Sequence, residues 1–248
     1  MTPDGRDRST GRRRRWIPLL AALLLSAGFS VLGVWQLERR AWKLDLIARV
    51  ERRINAAPTA PPGPDAWSGV SADRDAYRRV QACGVFAAGK DTLVQAVTDE
   101  GPGFWVITPL HTNGGYEVLV NRGFVPADLA AAARQATPPP SGGVTVTGLL
   151  RISEPHGGFL RANQPSPDRW YSRDVAAIAE ARGLTHVAPY FIDAEAMPQA
   201  YDWPRGGLTV VRFPNSHLAY ALTWFALAAM CLGWAGWSAL ESGRRRSV

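Results

Sequence analysis

Two long apolar runs bracket a more polar middle. The first, WIPLLAALLLSAGFSVLGVWQL, covers 16–37 without a charge, and the second, covering 217–240, is also uncharged apart from its opening histidine. Each meets the roughly 20 residues that a helix needs to cross a hydrocarbon core of about 30 Å. Each also carries aromatic residues near an end, Trp16 and Trp35 in the first, Trp234 and Trp237 in the second, where a membrane interface would hold them. The pattern predicts two membrane-spanning helices. A cleaved signal peptide is the rival reading of the first run, with RRRR, an apolar stretch and then Ser26, Ala27 and Gly28. The apolar run continues about nine residues beyond that point. Signal-peptide h-regions span roughly 7–15 residues, so a membrane span fits better.

The pattern then changes twice. In ERRAWKLDLIARVERRINAA the residues Trp42, Leu46, Ile47 and Val50 recur at helical spacing, which predicts that the span continues into a short amphipathic helix. A connector rich in proline near 57–66 follows, read as extended and solvent exposed. From Tyr77 onward come short β-rich runs, YRRVQACGVFA, DTLVQAV, FWVITPLHT, YEVLVNRGFV and VTVTGLLRI, with alternating or β-branched residues bounded by Gly, Pro and Asn. A hairpin is predicted at FWVITPLHTNGGYEVLV, with Asn113 and Gly114 taking positive φ. Pro109 has no N–H for a ladder, which places it at an edge or a bulge. SRDVAAIAEARG predicts a helix with Asp174 in its first turn and Gly183 as its stop. Two last strand-like runs, APYFIDAE and LTVVRF, lead into the second span.

The predicted architecture is an α+β membrane protein. Two transmembrane helices flank an extracytoplasmic, mainly antiparallel β domain, barrel or sandwich, with one or two short helices. Its divisions are a basic tail over 1–15, a span over 16–37, the β-rich domain over 38–216, a second span over 217–240 and a basic tail over 241–248.

Charge orients this arrangement. Of 248 residues with a net charge of +7, Arg12–Arg15 and Arg244–Arg246 lie outside the two spans, which makes both termini cytoplasmic by the positive-inside rule. Arg39, Arg40, Lys43, Arg49, Arg52 and Arg53 follow the first span on the opposite side and compete with that assignment. Long loops translocate largely regardless of charge, so the central segment is expected outside. The basic excess sits beside the membrane and not in a nucleic-acid motif, so membrane lipid is an expected partner and nucleic acid is not. Cys83 falls in the middle domain and Cys231 inside the second span, which leaves no disulfide framework.

Enzyme signatures are scarce. The chain has no GxSxG, P-loop, GxGxxG, HExxH or CxxCH. Its four histidines, His111, His156, His186 and His217, include no pair at metal-ligand spacing. A membrane-tethered enzyme would have to use His111, His156 or His186 as general bases, each of which also reads as an ordinary loop or strand-end residue.

His217 opens the second span within the triplet Asn215, Ser216, His217. A helix from there places His217, Tyr220, Ala221, Trp224 and Ala228 on one face. Trp35 and Gln36 of the first span reach the same depth if the helices are antiparallel. Ser26 with Ser30, and Ala229 with Gly233, are small residues four apart that would allow close packing. Two readings of this group stand. Ring residues collect at an interface because they are amphipathic, and Asn215 or Ser216 can cap a helix. Alternatively, a neutral imidazole with an aromatic wall is also how haem is held, with Arg39, Arg40 and Arg212 near enough to meet propionates.

VLGVWQLERRAWK, YRRVQACGVF, VLVNRGFVP, VTVTGLLR, PYFIDA and NSHLAYALTWFALA, in that order, together resemble the Surfeit locus protein one family, also called the Shy family, of cytochrome c oxidase assembly factors. The resemblance implies a β-rich domain between two spans and a role in building oxidase subunit one. It also implies binding of haem A in bacterial members, with oxidase subunit one and haem A synthase as partners. By the same resemblance the histidine of the second span falls on His217, the tryptophan before the first loop on Trp35, and a required glycine on Gly123. The chain departs from the family pattern at Ser216, where many members have a second asparagine, and at Phe124, where many have tryptophan. Only about fifteen residues precede the first span, with Asp4 and Asp7 among them, unlike a mitochondrial presequence. The expected location is a bacterial cytoplasmic (inner) membrane with the β domain in the periplasm. A cofactor-free scaffold for an oxidase intermediate is the competing expectation.

Overall fold

The computed structural model describes residues 8–130, 139–158, 161–196, 203–208 and 213–244. The chain divides into two compact units, a helical one within 1–48 and 212–248 and a β-rich one within 49–211.

The helical unit is an antiparallel pair. Helix α1 runs without interruption over Arg8–Ile54, so the first span and the amphipathic extension form one rod. Its partner, numbered α4 in chain order, covers His217–Arg244. Both are long and apolar enough to cross a membrane, and only 17% of either apolar window is buried. A core helix of a soluble domain would be mostly covered. Exposed aromatics mark the limits of the two apolar stretches, Trp16 and Trp35 on α1 and Tyr220 and Trp237 on α4. Their separation along each axis is about 26–28 Å at about 1.5 Å per residue, close to the hydrocarbon thickness of about 30 Å.

What buries residues in this pair is a narrow seam. Ala22, Ser26, Phe29, Gly33 and Gln36 on α1, and His217, Ala221, Trp224, Ala228, Cys231 and Ala235 on α4, are buried or half-buried. Their spacing alternates between four and three, the repeat that keeps one helix face against another. Ser26 Oγ donates to the Ala228 carbonyl at 3.1 Å. The expected contact residues Ala229 and Gly233 are instead exposed. The seam passes through Ala221, Ala228 and Ala235, and a one-residue offset turns a helical side chain by about 100°.

The β-rich unit is a closed barrel. Its strands are β1 (Arg79–Phe86), β2 (Thr92–Thr98), β3 (Gly101–Thr112), β4 (Glu117–Pro126), β5 (Gly143–Ile152) and β6 (Val187–Ala194). They are joined in the order β1-β5-β6-β4-β3-β2, and a further pairing of β1 with β3 closes five of them into a ring. Every pairing is antiparallel except β4 with β6. The interior is filled by alternate residues of the five ring strands, among them Val80, Leu110, Val118, Val120, Val146, Leu150, Tyr190 and Ile192. The intervening Ile107, Leu119 and Phe191 pack with Trp170, Val175 and Ile178 beneath helix α3 (Val175–Ala181). Burial of both faces explains why β4 and β6 read as nearly continuous apolar runs.

Several local expectations meet their physical reasons here. Pro109 is buried in β3, neither at a free edge nor in a bulge. It sits where β3 leaves β2, after Ile107, and takes up β1 from Leu110. Its carbonyl accepts from Ala87 N at 2.8 Å, so its N, on the same side of the strand, points at this seam, where no donor is required. The hairpin turn is one residue longer than predicted. Gly115, with φ 75°, is the left-handed residue, and Thr112 accepts from Gly115 N at 3.0 Å, the three-residue loop ending in a G1 bulge. Asp174 stands one position before the helix as its N-cap, accepting from Ala177 N at 3.2 Å. The short helix α2 (Ala72–Asp75) is capped by Ser71.

The proline-rich connector is only partly exposed. Thr59 bonds to β1 through Arg79 O and Gln81 N, so it covers that edge of the strand. Pro62 accepts from Tyr190 Oη at 2.6 Å and from Trp67 Nε1 at 3.1 Å. A proline lacks a donor but keeps its carbonyl, and here the carbonyl ties the connector to the barrel. Of the last predicted strand, LTVVRF, only Leu208 and Phe213 lie within the described residues.

Candidate functional site

The polar end of the helical seam is built by packing below it. Gly33 lies so close to α4 that a Cβ there would stand 2.6 Å from the Phe225 ring. Phe29 stacks on Trp224 with ring centroids 5.6 Å apart and planes 25° apart. One turn beyond Gly33, Gln36 Oε1 meets His217 Nδ1 at 2.8 Å. Among the described residues this is the only hydrogen bond of the His217 ring. Asn215 Oδ1 is sheltered and makes no hydrogen bond there, so this oxygen does not serve as a cap for α4.

The structure thus brings together His217, Gln36 and, two turns along α4, Trp224. It separates others from them. Trp35 and Arg39 are exposed. At about 100° per residue they lie roughly 140° and 100° around α1 from the seam. The Arg39 guanidinium sits over the Trp42 ring at 4.1 Å. Tyr220 is exposed at the rim of the seam, and Arg40 is half-buried. Arg212 lies outside the described residues. Sequence reasoning missed Phe29 and Gly33. The four-and-three spacing of Ala22, Ser26, Phe29, Gly33 and Gln36 was the signal that could have found them.

The barrel holds a second polar group of different character. Asp193, buried on β6, accepts from Asn121 Nδ2 at 2.9 Å, from Arg151 at 2.9 Å and from Arg173 at 3.2 Å. Arg173 also pairs with Glu154 through two nitrogens, at 2.6 and 3.1 Å. Burial pushes the Glu154 carboxyl up, but the Arg173 bonds outweigh it and hold the group below its usual range. Asn121 Oδ1 in turn accepts from Gly123 N at 3.1 Å. There β4 bulges, with Arg122 the extra residue, and Gly123 adopts φ 138° with its α-carbon against the Arg205 backbone. Arg122 is buried near Asp91, 4.0 Å away. Burial depresses its pKa and Asp91 only partly opposes that.

His111, His156 and His186 are all exposed. Among the described residues no group of three or more His, Cys, Asp or Glu can hold a metal ion. An apolar groove of about 560 Å³ between α3 and the start of β6 has Glu180 and His186 as its titratable groups.

A pair of helices able to span a membrane, with a closed β-barrel between them in the chain, defines a two-span membrane protein carrying a barrel domain. The SURF1 family profile matches residues 23–229. Surfeit locus protein 1 of Mus musculus is 34% identical over 223 residues, covering 84% of this chain and 71% of that protein. The Homo sapiens protein of the same name is 35% identical over 215 residues, covering 80% and 69%. A SURF1-like protein of Caenorhabditis elegans is 28% identical over 250 residues, covering 92% and 76%. The chain belongs to the SURF1 family. Membership supports a role in cytochrome c oxidase assembly.

Proposed function

We propose that this chain binds haem A at the end of its helix pair and assists insertion of that haem into oxidase subunit one. The observation that carries the reading is His217 itself. It is a neutral-capable imidazole at the end of a membrane helix, fixed on one ring nitrogen by Gln36 and standing above the Trp224–Phe29 stack. These residues fit a haem: His217 would offer its free ring nitrogen to the iron, beside the indole of Trp224, and the haem would supply a metal that binds imidazole. His217 is the ligand in this reading, Gln36 and Trp224 flank it, and Tyr220 stands at the rim, whereas Trp35 faces away from the seam. Arg39 and Arg212 are the cations proposed for the propionates.

The location that suits this role is a bacterial cytoplasmic membrane. Both basic termini are then cytoplasmic, the barrel is periplasmic, and haem A synthase is the donor upstream. The functional unit is an assembly factor and not an enzyme.

Purification of the full chain from membranes of cells that make haem A tests the reading. The expected result is about one haem A per chain, together with co-purified subunit one. A chain that retains subunit one but carries no haem A would instead be a scaffold.

A further inference from the structure

We infer that Gln36 is a positioning residue that holds His217 as the Nδ1–H tautomer and leaves Nε2 as the ring's only lone pair. The metal consequence rests on the haem reading above, whereas the tautomer is a property of the chain alone. Gln36 Oε1 stands 2.8 Å from His217 Nδ1. A carboxamide oxygen only accepts, so the proton of this bond belongs to Nδ1. A neutral imidazole with Nδ1 protonated has a single lone pair, on Nε2, and Nε2 makes no hydrogen bond among the described residues. If the amide were turned the other way, its NH₂ would take up the Nδ1 lone pair. The ring would then carry its proton on Nε2 and have nothing left to offer a metal.

The seam makes Gln36 dependable in this task. Gly33 and Phe225 touch one turn below it, and Ser26 bonds across to Ala228. These contacts run along one line of four-and-three spacing, so they fix the axial register of the two helices. That register sets which α1 residue faces His217. Trp35 is turned far from the seam and cannot substitute. A ligating histidine whose other nitrogen donates to an oxygen has its ring orientation set and its basicity raised, and loss of such a partner typically weakens metal binding by 10–100-fold.

The test is ¹⁵N NMR of histidine-labelled full chain, free of haem, in detergent micelles. Wild type should show His217 with Nδ1 protonated and Nε2 bare. Gln36→Leu should shift the ring toward the Nε2–H form that histidine favours in water. Gln36→Glu, which keeps an acceptor oxygen, should preserve Nδ1–H and serves as the check if the leucine variant does not fold. An Nε2–H ring in wild type, or an unchanged Nδ1–H ring in Gln36→Leu, overturns the inference. With haem A added, Gln36→Leu should bind about 10–100-fold more weakly than wild type and Gln36→Glu should recover tight binding. Failure of wild type to bind haem A would overturn the function reading and leave the tautomer result standing.

Discussion

Asp193 in the barrel and His217 in the helix pair are both sheltered polar groups, yet they are used in opposite ways. Asp193 takes three donors from three different segments, two of them arginines, and its bonding capacity is committed to holding the fold. His217 has one partner on one nitrogen. A buried charge that loses its counter-charges is costly, whereas a ring at a helix end with a single hydrogen bond costs less to alter. The difference separates a residue that the fold requires from one that the fold leaves available.

The comparison breaks most easily at its structural side. Asp193→Ala leaves Arg151 and Arg173, both mostly buried, with Glu154 as their one remaining shared counter-charge among the described residues. It should cost about 3 kcal/mol, the low end for a broken buried pair, and lower the melting temperature of the purified chain by roughly 10 °C. Gly123→Ala should cost about 2 kcal/mol or more, because a Cβ at φ 138° would come 2.2 Å from the Arg205 backbone. Thermal melts of that variant should show the loss with the His217 environment unchanged.

Acid provides a gentler probe of the barrel. Burial pushes Asp75 up, but the Ser71 N–H and Arg78 more than offset it, so its pKa lies below the ordinary value, as does that of Glu154. A depressed carboxyl contributes stability that is complete above the ordinary carboxylate range near about pH 4 and is lost as pH falls through the lowered values. Melting temperature against pH should drop across that acid window, and Asp75→Asn should flatten the drop. The smallest effect belongs to the other region: His217→Ala should cost about 1 kcal/mol, the net worth of its one hydrogen bond to Gln36, read as a small drop in melting temperature.

The sequence exposed the local structure more fully than the closure. Strands β1 to β6 were readable because alternation and turn residues are local signals. The ring was not, since it depends on β3 dividing its partners at Pro109, and one proline signals only that a ladder bond is missing. The parallel β4–β6 pairing and the Asp193 group were equally hidden. Asn121, Arg151, Arg173 and Asp193 come from four segments with no common spacing.

In the helices, counting inward from the ends of both apolar runs placed Gln36 and His217 at one depth. It did not separate Gln36 from Trp35. Depth is a property of each helix alone, whereas the facing side depends on the register with its partner, which Gly33, Phe225, Ser26 and Ala228 set.

The most direct measurement is a visible absorption titration of haem A into the purified full chain, wild type beside His217→Ala. The account predicts a saturating Soret shift near one equivalent in wild type and its loss in the variant, while both chains remain folded at the temperature of the titration. An identical titration for the two would contradict it.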